Sequence, residues 1–89
     1  MPKLDKIIGE ALSDYGETTK NVIIWHMEHT YNLRLEEVQN DPARFVNALK
    51  DILGGLEDAV ERNISQRVAR EYGIKYGDQG LVKLLGELK

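Results

Sequence analysis

The chain contains no cysteine. That absence removes disulfides, thiolate nucleophiles and cysteine-ligated zinc together, and a small disulfide-free domain fits a reducing, cytoplasmic setting. Long apolar runs are missing too. Nothing approaches the ~18 apolar residues needed to cross a bilayer. The opening residues, MPKLDKIIGEALSDYG, carry a helical period and acidic groups where a signal peptide would carry an apolar core. Serine occurs only at Ser13 and Ser65, neither in a strand-turn-helix elbow, and Gly54-Gly55 lacks the Lys-Ser/Thr that completes a phosphate loop. There is no internal repeat and no low-complexity linker. No motif specifies a reaction, so the expectation is a non-enzymatic protein without a cofactor.

What is present describes an ordinary globular domain. The 89 residues are 42% hydrophobic and 30% charged, which suits one domain spanning residues 1–89. A chain of this size buries somewhat over ~60% of its unfolded surface and can fold alone. The net charge of −3 is unevenly placed. Residues 1–58 hold 6 Lys+Arg against 11 Asp+Glu, a net of −5, and residues 59–89 hold 6 against 4, a net of +2. An acidic first part opposes a phosphate backbone, which disfavours nucleic acid as a partner.

Apolar periodicity predicts helices throughout. Leu4, Ile7, Ile8, Ala11, Leu12 and Tyr15 share one face, and Gly16 stands where that helix would stop. A second helix is expected from Glu17 to Tyr31, with Asn32 as a left-handed terminator. LRLEEVQND follows, extended at first and then one helical turn. Asp41-Pro42 gives an N-cap carboxylate with proline at the first helical position. From there Phe45, Val46, Leu49, Ile52, Leu53 and Leu56 form a stripe. Gly54-Gly55 should kink or break it, since each glycine costs a helix about 1 kcal/mol relative to alanine. Leu56, Ala59, Val60, Ile64, Val68 and Tyr72 carry a thinner stripe to a stop at Tyr72-Gly73-Ile74. A last short helix is expected, capped by Asp78, with Leu81, Val82, Leu84, Leu85 and Leu88 as its apolar face. The expected fold is all-α, a compact bundle of four or five helices.

The helix bearing VIIWHMEH raises the functional question. At ~100° per residue, Ile23, Ile24, Met27 and Tyr31 share one sector, while Thr18, Val22, Trp25, His26 and His29 share another, roughly opposite. Such a helix is either central to the core or part of an interface. His26 and His29 could reach one metal ion from a common face. Their spacing is neither the His-Glu-x-x-His zinc helix nor the Glu-x-x-His of di-iron bundles, and further ligands would have to come from elsewhere. The simpler expectation is one imidazole hydrogen-bonded in a packed contact and the other in solvent. Tryptophan is common in cores and at interface centres, and the second apolar sector favours an interface. The surface expected to meet a protein partner or a second copy therefore comprises Val22, Trp25 and His29 with the tail residues Leu81, Leu85 and Leu88.

The alternative is a helix-turn-helix DNA-binding regulator, its recognition helix beginning at Asp41-Pro42. Arg44 and Asn47 would face base edges, helped by Arg62, Arg67 and Arg70. Glu36, Glu37 and Asp41 oppose it. Asp58–Arg62 and Arg67–Glu71 are also spaced as i, i+4 ion pairs, so a solvated helix face is the plainer expectation. The terminal helix, with Lys83, Glu87 and Lys89 on its polar side, is too weakly basic for a membrane surface.

The run ALSDYGETTKNVIIWHMEHTYNLRLEEVQNDPARFVNALKDILGGLEDAVERNI resembles a small archaeal family, the nitrososphaera output domain. The matching positions are Gly16, Tyr31-Asn32, Leu35-Glu36-Glu37, Asp41-Pro42, Phe45 and Gly54. The likeness covers roughly residues 4–75, and its motifs are structural. It implies an output or partner-binding role in archaeal signal transduction and brings no catalytic residues. Such domains are sometimes attached to receiver-type domains, of which these 89 residues contain none.

Overall fold

Leu4, Ile7, Ile8, Ala11 and Leu12 recur at three- and four-residue spacing, and all five are buried along α1 (Leu4–Ser13) in the computed structural model, which describes residues 3–77 and 80–88. The helix ends two residues before the pattern predicts. Tyr15 leaves the helix and is 40% exposed, and Gly16 adopts φ 102°, ψ 146°, a conformation closed to L side chains. The carbonyl of Gly16 accepts the N–H of Lys20, so this glycine opens the next helix and is not the left-handed residue closing the previous one.

Helix α2 (Glu17–Thr30) closes as expected at Asn32, which takes φ 52°, while the N–H of Leu33 turns back to the carbonyl of Met27. Leu33, 2% exposed, and extended Arg34 lead into a 3-10 segment, Leu35–Asn40, which inserts Val38 into the core. The Glu37 carboxylate accepts the backbone N–H of Arg34 at 3.1 Å and steadies its entry. Asp41 then caps α3 (Pro42–Leu53) by accepting the N–H of Arg44 at 3.3 Å, with Pro42 at the first helical position.

Gly54-Gly55 breaks the chain's direction. Gly54 sits at φ 58°, ψ −121°, and a 3-10 turn over Gly54–Leu56 separates α3 from α4 (Glu57–Tyr72). The break carries Leu56 off both stripes expected to contain it, and it is 66% exposed. Ala59 is exposed as well. Val60, Ile64, Val68 and Ala69 make the buried side of α4. Gly73 ends it in the left-handed conformation (φ 67°), with the N–H of Ile74 on the carbonyl of Ala69 at 2.8 Å and Ile74 packed on the core.

The last helix, α5 (Leu81–Gly86), is shorter than the expected span to Leu88, and its N-cap position is Gly80. The expected cap, Asp78, lies outside the described residues. The Glu61 carboxylate on α4 accepts the N–H of Leu81 at 2.9 Å and serves that helix end from across the seam.

Helix α1 packs most extensively on α4 and also meets α2 and the first 3-10 segment, while α3 and α4 hold α5 and α2 leans on α1 and α3. One continuous hydrophobic cluster draws residues from all five helices, and no strand occurs among the described residues. The radius of gyration, 11.9 Å, equals the ~12 Å expected of one compact domain of this length. No described helix is long and apolar enough to cross a membrane.

Candidate interaction surface

Helix α2 is the least committed element of the bundle. Among its fourteen residues only Ile23 and Met27 are buried, with Ile24 half-buried beside them. The predicted core sector thus faces inward, and the second apolar sector faces solvent. Val22 is 48% and Trp25 55% exposed, so the sole tryptophan lies outside the core.

The exposed indole is held in place. His29 stacks on it with ring centroids 4.3 Å apart and planes 16° from parallel, and His26 meets it edge-on at 5.3 Å and 87°. His29 Nδ1 lies 2.9 Å from the Trp25 carbonyl oxygen. A carbonyl only accepts, so Nδ1 carries the hydrogen and Nε2 is directed elsewhere. Aromatic pairs of this kind contribute about 0.5–1.5 kcal/mol beyond area burial. Thr18, Asn21, Val22, Trp25 and His26 line a shallow concavity of 390 Å³. On the other flank of α2, Tyr15, Thr19 and Ile23 meet Leu53, Leu56, Ala59 and Val60 around an apolar groove of 310 Å³. Tyr15 and Leu56, both read as core from the sequence, are surface residues of that groove.

The other expected site residues separate. Leu81 and Leu85 are 0% exposed and belong to this chain's own core, so they form no docking face on the folded domain. Their stripe is consumed by α3 and α4, and Leu88 is half-buried against the same cluster. Arg67 makes a double contact with Asp14 at 2.7 and 2.9 Å, in place of the expected pairing with Glu71. Asn63 also donates to Asp14 at 3.1 Å, and together Asn63 and then Arg67 hold the Asp14 carboxyl below its ordinary range. Neither Asp58–Arg62 nor Arg67–Glu71 closes to ion-pair distance among the described residues. Arg44 donates its guanidinium to the Tyr31 carbonyl, bracing the end of α2 against α3. The Tyr31 hydroxyl donates to Asp51 at 2.8 Å, which raises the phenol above its ordinary value. Asn47, Arg62 and Arg70 are exposed.

His26 and His29 both pack on the indole, and among the described residues no third imidazole or carboxylate stands close enough to complete a metal site with them. Sequence reasoning missed a polar line on α4. Glu57 and Ser65 are 3% and 1% exposed, and Glu57 Oε1 and Ser65 Oγ have no hydrogen-bond partner among the described residues. Burial, with the Glu61 and Asp58 carboxylates beside it, pushes the Glu57 carboxyl up to about 7. Compared with known protein families, with characterised proteins and with solved structures, the chain matches none.

Proposed function

We propose that this chain is a non-enzymatic interaction module that works through protein–protein contact at the outer face of α2, as a homodimer. The observation that carries this reading is Trp25, 55% exposed yet stacked on His29 and therefore presented as a rigid anchor. Tryptophan held in one orientation loses little freedom on docking, which is why such residues dominate interface energetics. Thr18, Asn21, Val22, Trp25, His26 and His29 include no carboxylate, ammonium or guanidinium. Two copies of this face can therefore meet about a twofold axis without like-charge repulsion. A 14-residue helix spans only about 21 Å, so the contact falls at the small end of interface sizes, and a weak dimer is expected.

The regulatory setting rests on the resemblance to the nitrososphaera output domain, and the cytoplasmic location on the composition. The helix-turn-helix alternative is less supported, because Arg44 and Arg67 are engaged within the fold. Sedimentation across a concentration series, followed alongside Trp25 emission, tests the dimer. Association with a blue shift in emission is expected, and a monomer at high micromolar concentration would sink the proposal.

A further inference from the structure

The buried polar line on α4 has no role in the α2 contact. Glu57, Asp58 and Glu61 each bring one carboxylate oxygen to within 4.8 Å of the others. Acidic residues in a helix's first turn commonly answer its dipole, and that accounts for exposed Asp58. It leaves Glu57 unexplained, since its side chain is buried with Oε1 unpartnered among the described residues. A buried acceptor without a donor is costly, and a carboxylate more so. Glu61 is partly used, because Oε2 holds the N–H of Leu81. Two turns beyond Glu57, Ser65 presents a second orphaned oxygen. With Asp58, Glu61, Arg62, Tyr76 and Gly80 it lines a cavity of 240 Å³ beside α4.

We propose that Glu57, Asp58 and Glu61, the last two at the wall of this cavity, bind a hard divalent cation of the Mg²⁺, Mn²⁺ or Ca²⁺ class through their carboxylates, with water completing its shell. The donors are all oxygen, which selects these ions over zinc or copper. The dimensions agree. Opposed ligand oxygens lie about 4.2 Å apart around Mg²⁺ and about 5 Å apart around Ca²⁺, so three oxygens all within 4.8 Å fit the sphere of Ca²⁺ as they stand and close by a few tenths of an ångström around Mg²⁺. Charge agrees as well, because a dication offsets the repulsion among three carboxylates. Arg62, at the cavity wall, forms no ion pair with any of them among the described residues. A proton on Glu57 is the competing occupant. Since Glu61 also holds the first turn of α5, the ion ties the docking of that helix to cation supply.

The test uses the full chain freed of metal by a chelator and titrated with Mn²⁺ at constant ionic strength while amide NMR signals are followed. Broadening centred on residues 57–65 and Leu81 is expected, reversed by excess Mg²⁺ or Ca²⁺. Glu57→Gln keeps the side-chain shape and should weaken Mn²⁺ binding at least tenfold. Circular dichroism reports whether each variant folds, and Asp58→Asn, at an exposed position, replaces Glu57→Gln if that variant does not. Equal Mn²⁺ affinity in wild type and variant, or broadening spread evenly over Glu36, Glu37 and Asp41, overturns the proposal.

Discussion

Trp25 and His29 lie one helical turn apart, stacked at 4.3 Å, and the same histidine donates Nδ1–H back to the Trp25 carbonyl. The hydrogen bond seats the imidazole, which restrains the indole from one face while more than half of Trp25 stays exposed. His29→Ala should leave the fold intact, costing about 0.5–1.5 kcal/mol at most. It should free the indole, lowering tryptophan fluorescence anisotropy in the monomer and weakening association. Unchanged anisotropy would mean that the stack does not restrain Trp25.

Leu56 and Leu84 are both leucines of predicted apolar stripes, but one is 66% exposed and the other 0%. Leu84→Ala should cost about 2–5 kcal/mol, as expected for a filled core site. Leu56→Ser should stay within about 0.5 kcal/mol of wild type. Urea unfolding of both variants separates the core role of α5 from the surface role of the α3–α4 break.

The two central glycines should behave differently. Neither would bring a Cβ within 4 Å of another group, so only backbone conformation matters. Gly54 has positive φ, and Gly54→Ala should destabilise by about 1–3 kcal/mol. Gly55 does not, and Gly55→Ala should be neutral or add about 0.4–1 kcal/mol. Thermal melts of the pair check this.

Glu57 sets a pH dependence of definite sign. Its folded carboxyl is raised from about 4.5 to about 7, so its favourable contribution is fully present below about pH 4.5 and is lost as pH rises through about 7. In chelator, wild type and Glu57→Gln should unfold at similar temperatures near pH 4.5, with Gln several degrees higher at pH 8. Parallel curves across that range would show that Glu57 is not buried in its charged form.

The helices were legible from their apolar spacing, reinforced at particular ends by a capping residue or a glycine or asparagine stop. Asp41-Pro42, Asn32 and Gly73 each act as their local chemistry requires. Two things were not legible. Leu56 continued the period of both flanking helices, and only the φ of Gly54 decides that it points outward. Glu57, Glu61 and Ser65 recur every four residues beside Val60, Ile64 and Val68. That spacing lies next to the apolar stripe and holds two carboxylates, so nothing in the local pattern marks it as buried. It is buried because Tyr76, Gly80 and α5 pack beside it, a long-range contact that no local pattern announces.

The central claim is that the exposed face of α2 joins two copies of the chain. Sedimentation equilibrium of wild type and Trp25→Ala, from ten to several hundred micromolar, tests it most directly. The account predicts a reversible monomer–dimer equilibrium for wild type, with a blue shift of Trp25 emission as dimer forms. It predicts a monomer of nearly unchanged stability for Trp25→Ala. A wild-type chain that stays monomeric at the highest concentration, or a variant that dimerises equally well, would contradict it.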